Sequence, residues 1–322
     1  QNVSCDSCAK ANAKKTSHPD SMPTPAVEPG RLHVDIKGPM VLARDKSLYA
    51  MFAVDEATRF VWVAFMTDKT TASQTRAMQE IITNFNNTVY IPTDADGRVL
   101  GKPKVTIIRS DHESALLSGD FTAFRNEGSI GSELSPPHDH DLNAIAERCI
   151  GVISQKAMAM KDFCNAKSNL WPYAIRHAVD WHNCDAGKIG SSANNPEISA
   201  YQRFTGKQPK VNDLATFGCR AVVLRPPQHK IKSDLSTNGW VGAFLGRSNS
   251  INGYFVDVGD RIVDSSSVSV DEEFFPYFAR DKGGECRKPL APATTKRKAA
   301  DTGQGPGGGK GGSQPILSDP TK

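Results

Sequence analysis

Residues 31–37, RLHVDIK, alternate Leu32, Val34 and Ile36 with His33, Asp35 and Lys37. That period of two belongs to a strand with one face in a core. Two apolar runs, 47–54 and 60–66, flank the polar residues 55–59 and predict a hairpin with a slightly long turn. Over 70–85 the period changes: Ala77, Ile81, Ile82 and Phe85 fall at helical spacing behind Thr and Ser residues suited to an N-cap. Residues 86–103, with Asn-Asn, Ala-Asp-Gly and two prolines, read as a surface loop. The short apolar run 105–108 predicts a buried strand that delivers Asp111 just beyond its C-terminal end. A helix over 119–127, a short strand near 132–134 and a Pro-containing loop over 135–141 follow.

A long helix then begins near 141–143, where Asp141 and Asn143 are both suitable caps. Ala146, Ile150, Ile153, Ala157 and Met160 form its apolar stripe. Glu147 lies beside that stripe, so it can point into a cleft while its neighbours anchor the helix. Ser154, Gln155 and Lys161 remain available to solvent or DNA. A second helical run over 170–184 packs Trp171, Ile175, Ala178 and Trp181. Its His177 and His182 are five apart, a poor spacing for one metal, and read as structural or surface residues. A short helix is expected over 196–204. Between 217 and 275 the pattern turns to short strands over 219–224, 240–245, 253–258 and 261–263, a small barrel or sheet.

Composition narrows the class. The 322 residues are 38% hydrophobic and 23% charged, enough for two domains plus tails, with no apolar run of membrane-spanning length. No signal-peptide pattern opens the chain, and a start at Gln1 reads as a fragment of something longer. The net charge is +4, and residues 281–322 hold eight Lys or Arg against four Asp or Glu, which accounts for it. Their Gly- and Pro-rich sequence predicts a disordered basic tail. Residues 201–233 hold Arg203, Lys207, Lys210, Arg220, Arg225, Lys230 and Lys232 against Asp213 alone. That stretch suits phosphate contacts, or a solvated face. Seven scattered cysteines argue for reduced thiols rather than a disulfide framework. Cys5 and Cys8 have the spacing of half a zinc site, with a free thiol pair as the alternative.

The candidate chemistry rests on carboxylates. Asp35 sits in the first strand, Asp111 follows a buried strand, and Glu147 lies 35 intervening residues later in the first turns of a helix. Three such groups are the oxygen donors that hard divalent cations require, and two such ions can clamp the attacking and leaving oxygens of a phosphodiester. Asp45, Asp55, Glu113, Asp139 and Asp141 compete with Asp35 for such a role, and Glu147 could instead be a solvated residue paired with a basic side chain.

Several motifs together resemble the integrase region of Ty1/copia-type retrotransposon Pol polyproteins. They are CDSC at Cys5–Cys8, HVDIKGP around Asp35, IIRSDHES around Asp111 and NAIAER around Glu147. LWPYAIRHAVDWHN, NNPEISAYQRFTGKQPKVNDLATFGCRA and WVGAFLGRSNSINGYFVDV follow in near-colinear order. Two places depart from the family pattern: His112-Glu113 replaces its Asn-Gly, and residues 138–144 replace its Gln-rich, Asn-Gly loop.

The resemblance implies an α/β fold, an RNase H-like mixed five-stranded sheet flanked by helices. The expected organisation is half a zinc motif (1–16), a linker (17–29), a catalytic core (30–205), a small β-rich SH3-like domain (206–280) and the disordered tail (281–322). It implies Asp35, Asp111 and Glu147 as catalytic ligands of Mg²⁺ or Mn²⁺, and Zn²⁺ at Cys5 and Cys8 with ligands upstream. Arg148, Gln155, Lys156, Lys207, Lys210, Arg225, Lys230 and Lys232 are the candidate DNA contacts. The implied function is a Mg-dependent polynucleotidyl transferase and endonuclease that joins element DNA to host DNA. The implied partners are double-stranded DNA and further copies of the chain, with no membrane. Its place of action would be the nucleus, reached from a virus-like particle or the cytoplasm. The basic run Lys296-Arg297-Lys298 could signal nuclear entry or simply aid solubility. The alternatives are a decayed nucleic-acid-binding remnant and an RNase H-like nuclease.

Overall fold

The alternation seen in the sequence sorts the first sheet into two faces. The computed structural model describes residues 26, 28–88, 102–111, 118–134, 143–186, 198–225, 237–248 and 252–278. Strands β1 (Arg31–Lys37), β2 (Tyr49–Asp55), β3 (Val61–Met66), β4 (Ile107–Ser110) and β5 (Gly131–Leu134) form one sheet in the order β3-β2-β1-β4-β5. The first three make an antiparallel meander, and β4 and β5 run parallel to β1. Helices α1 (Thr71–Thr88), α2 (Gly119–Glu127), α3 (Ala144–Phe163), α4 (Trp171–Cys184) and α5 (Ala200–Thr205) flank it.

Leu32, Val34, Met51, Ala53 and Trp62 share a core with Ala77, Met78, Ile81 and Phe85 of α1 and Phe204 of α5. Phe52, Val54, Val61 and Val63 point the other way and pack with Cys149, Ile150 and Ile153 of α3 and Trp171, Ile175 and Ala178 of α4. This mixed sheet with helices on both faces is the RNase H-like architecture implied by the motifs.

The second core continues without a break into Phe217, Cys219, Ala221, Phe244 and Val256. These residues belong to or adjoin an antiparallel sheet of β6 (Arg220–Leu224), β7 (Gly239–Arg247), β8 (Tyr254–Asp257), β9 (Ile262–Ser265) and β10 (Val268–Asp271), in the order β10-β6-β7-β8-β9. The β-rich segment therefore shares its apolar interior with α3 and α4. Arg44 ties the two sheets by donating to Asp257 Oδ1 at 2.8 Å and to the Gly259 carbonyl at 2.8 Å.

Several boundaries move from their expected places. The buried strand occupies Ile107–Ser110 rather than 105–108, because pairing with β1 and β5, not apolarity, defines it. Gly30 permits that pairing. At φ +131° it brings its backbone so close to the Lys104 carbonyl that a Cβ would lie 2.4 Å from the oxygen. Helix α1 runs three residues into the expected loop, and Thr88 Oγ1 donates to the Asn84 carbonyl at 2.8 Å within its last turn. Strand β10 was not foreseen, since its Val-Ser-Val-Asp is short and partly exposed.

His177 and His182 are both buried. Trp181 Nε1 donates to His177 Nε2 at 3.1 Å, and His182 Nε2 lies 3.8 Å from the Cys149 sulfur. Burial pulls both imidazoles down to about 4, so both are neutral near pH 7. Burial pushes the Asp180 carboxyl between them up to about 6.

Below an unfolded value of about 6.5 the unfolded chain binds two more protons at the histidines, while from about 6 downward the native state binds one more at Asp180. One net proton remains from these three groups, and His33, whose pKa is also lowered, and Asp55, whose pKa is raised, act in opposite directions. Stability should therefore fall by roughly 1.4 kcal/mol per pH unit, about 3 kcal/mol between pH 6 and 4. Urea unfolding across this range tests it: a flat profile contradicts it, and His182→Gln should flatten the slope by about one proton.

Candidate active site

The parallel pairing of β1 and β4 sets the register of the acids. Val34 stands opposite Ser110, so the next position on each chain is Asp35 and Asp111. Both lie at the C-terminal end of the parallel pair, where α/β sheets place their ligand crevices. By the same two-residue period they continue the row of His33 and Arg109 on the face covered by α3. Asn143, at the start of α3, donates from Nδ2 to the Val34 carbonyl at 3.1 Å. Its expected cap hydrogen bond is not made, because the side chain is turned to β1 instead. Glu147 follows four residues later, on the same side of the helix. Thus one buried hydrogen bond across 109 positions hangs the first turn of α3 beside Asp35.

Asp35 and Asp111 are half-buried and Glu147 is exposed. One Asp35 oxygen accepts from the Ile36 N–H at 2.7 Å. Among the described residues no three His, Cys, Asp or Glu side chains stand close enough to hold a metal ion. The donor set suits a hard cation in kind, being carboxylate oxygen throughout. The backbone gathers the three acids at one end of the sheet, without a closed ligand set.

Two competing acids have structural work. Asp55 accepts from the Gly30 N–H and the Thr58 N–H, each at 2.8 Å, and from the Thr58 hydroxyl at 2.7 Å. Burial still raises its carboxyl above the ordinary value. Asp45 accepts from the Ser47 N–H at 3.0 Å in a turn. Glu113, Asp139 and Asp141 lie outside the described residues.

Behind the acids, one step back along β1 and β4, lies a buried charge layer that the sequence reading missed. His33 Nε2 is 3.0 Å from Glu56 Oε2, and Arg31 and Arg109 approach the same oxygen at 3.6 and 3.8 Å. Arg109 Nε also donates to Glu133 at 2.9 Å. Burial lowers the His33 pKa. Burial alone would raise Glu56, but the Ala26 N–H, His33 and Arg109 hold its carboxyl below the usual value. The available signal was the alternation that puts His33 and Asp35 on one face of RLHVDIK.

The candidate DNA contacts divide. Arg148 and Gln155 are exposed on α3. Lys156 is paired with Asp185 at 3.2 Å, Lys161 donates to the Ser168 carbonyl at 3.3 Å, and the Ser154 hydroxyl is sealed from solvent. Ser154 is therefore not free for solvent or DNA, because α3 packs along more of its surface than its apolar stripe indicated, while the Lys161 hydrogen bond is an exposed one that leaves the ammonium in reach of solvent. Lys207 and Lys210 line a cleft of about 340 Å³ with Arg247 and Asp213. Arg225 and Arg261 stack on Trp240 at 5.6 and 5.8 Å from its ring centre. Lys230, Lys232, Cys5 and Cys8 lie outside the described residues. Cys149, Cys164, Cys184 and Cys219 are buried free thiols. Among the described residues no helix is long and apolar enough to cross a membrane.

Fold and acid placement together define an RNase H-like α/β protein with its candidate carboxylates at the C-terminal edge of the central parallel pair. No family model matches the chain. It is similar to the retrovirus-related Pol polyprotein from transposon RE2 of Arabidopsis thaliana, 23% identical over 87% of this chain and 18% of the relative. It is also similar to the Pol polyprotein from transposon TNT 1-94 of Nicotiana tabacum, 24% identical over 71% of this chain and 16% of the relative. The resemblance to retrotransposon Pol polyproteins drawn from the motifs thus extends over most of the chain, which spans less than a fifth of these relatives' length.

Among solved structures, a chain of the simian T-cell lymphotropic virus intasome is 15% identical, with a TM-score of 0.45 over 83% of this chain and 87% of that one. The HTLV-2 integrase catalytic core domain is 16% identical, with a TM-score of 0.37 over 54% of this chain and 94% of that one. The fold assignment rests on the strand order above, not on these superpositions.

Proposed function

We propose that this chain is a retrotransposon integrase, a polynucleotidyl transferase that processes element DNA ends and joins them to host DNA in the nucleus. The observation that carries the reading is the register that sets Asp35 beside Asp111, with Asn143 holding the Glu147 turn against β1. Asp35, Asp111 and Glu147 would hold Mg²⁺ or Mn²⁺, which when bound supplies Lewis acidity toward a phosphodiester and a water or 3′-hydroxyl of lowered pKa. The chain's own part is positioning. The parallel pair fixes two carboxylates on a rigid sheet, the helix brings the third, and the His33–Glu56–Arg109 layer keeps the sheet beneath them filled with satisfied charge. The exposed Arg148 and Gln155 on α3 and the Lys207–Lys210–Arg247 cleft are the surfaces for duplex DNA, and the molecule acts as a multimer.

Strand transfer with matched terminal DNA, wild type against Glu147→Gln, tests the reading. Loss of joining in the variant, with its fold and DNA affinity kept, is the expected result. Equal activity of the two proteins would reject it.

A second reading, a decayed DNA-binding copy, is favoured by the separation of the three acids and by the Asp35 oxygen turned to the Ile36 N–H. Calorimetric titration with Mg²⁺ decides between them, since a decayed site takes up no ion.

A further inference from the structure

Beside the acids lies a second feature that the proposed chemistry does not use. A cleft of about 220 Å³ is lined by Val54, Arg59, Ala144, Ile145, Arg148, Cys149 and His182. Arg59 enters it from the β2–β3 turn at φ +64°, a conformation fixed by the Arg59 N–H donating to the Asp55 carbonyl at 2.9 Å. Its guanidinium is half-buried, and burial pulls its pKa below the ordinary arginine value. The nearest acids do not pair with it. The Asp55 oxygens are taken by Gly30 and Thr58, and Glu56 by Ala26, His33 and Arg109. Glu56 and Asp55 still attract it through space, and Arg203 repels it.

Across the cleft, Arg148 is exposed, and among the described residues neither arginine side chain has a hydrogen-bond or ion-pair partner. Guanidinium N–H donors left without acceptors at the edge of a partly buried cleft are open to an anion. The third wall is the first turn of α3. Asn143 has turned its amide to Val34 and leaves those backbone N–H groups without its side-chain cap. A 20-residue helix also presents the positive end of its dipole there. Of the remaining lining, Val54, Ala144, Ile145 and Cys149 are apolar and strengthen charge interactions by excluding water, and His182 adds a neutral imidazole.

We propose that this cleft is a phosphate-binding site, in which Arg59 and Arg148 grip one phosphoryl group against the N-terminus of α3. The group is a phosphodiester of a DNA strand or a free phosphate, and both offer the same tetrahedral oxygens. The site needs no metal and stands independently of the carboxylate chemistry, although Arg148 follows Glu147 directly and a strand held there would pass the acids.

Phosphorus-31 NMR titration of inorganic phosphate into the full chain, with EDTA present, is the first test. Saturable binding should be weakened at least about tenfold by Arg59→Gln and by Arg148→Gln. Arg59→Lys should retain part of it, and Asp111→Asn should retain all of it. The second arm is anisotropy of a labelled duplex in the same buffer. A matching loss of duplex affinity in both Gln variants assigns the site to a DNA phosphate, and an unchanged duplex affinity assigns it to a free phosphate. Absence of phosphate binding in the wild type, or unchanged binding in folded Arg59→Gln and Arg148→Gln proteins, overturns the proposal. Because Asp111→Asn leaves this readout intact, failure here is distinguishable from failure of the integrase reading.

Discussion

Asp111→Asn should lose at least about a thousandfold in Mg²⁺-dependent strand transfer while binding duplex DNA within about threefold of wild type. The substitution keeps size and shape and removes one negative charge. Asp111 is half-buried beside Asp35 in the β1–β4 register, and Asp55, on the neighbouring strand β2, cannot take its place because it is committed to its turn. A bound divalent ion supplies several kcal/mol of transition-state stabilisation, and each 1.36 kcal/mol is about tenfold in rate. On the proposed reading DNA affinity would be carried by phosphate contacts elsewhere and so stay largely untouched. Joining at wild-type rate in the Asn variant would remove Asp111 from the mechanism.

Phe204→Ala should destabilise the fold by about 3–5 kcal/mol, the range for deleting a buried aromatic ring. Phe204 is 1% exposed on the six-residue helix α5. Its ring lies 4.9, 5.0 and 5.1 Å from those of Phe60, Trp62 and Phe85, in tilted and edge-on arrangements that favour attraction. Removing it empties the junction of β3, α1 and α5 at once. Denaturant unfolding measures the loss, and a decrease under about 1 kcal/mol would mean that the cluster collapses around the gap.

Much of this fold could be read from local pattern. RLHVDIK gave β1 with its two faces, and 119–127 gave α2 at its observed bounds. Charged burial was harder to read. Arg109 is 7% exposed, which its residue type argues against. It is tolerated because Glu56 and Glu133, from two other parts of the chain, supply the counter-charge. Asn143 was legible as a residue that starts a helix, but its hydrogen bond to β1 was not. The arginine cleft was equally invisible: Arg59 reads as a turn residue and Arg148 as a surface charge until the fold sets them across one space.

The sequence by itself determined the alternation of the strands, the apolar stripes of the helices, the three candidate acids and the likeness to transposon Pol polyproteins. These are properties of neighbouring residues, or of motifs in order, and need no partner across the fold. Only the tertiary structure decided which strand runs beside which, and hence that Asp35 and Asp111 share one end of the sheet. It also decided that the β-rich segment builds its core on α3 and α4, and that two arginines face one cleft. The reason is that such contacts join distant positions, as Asn143 with Val34 and Arg44 with Asp257 do, and no local period encodes a pairing across 109 or 213 residues.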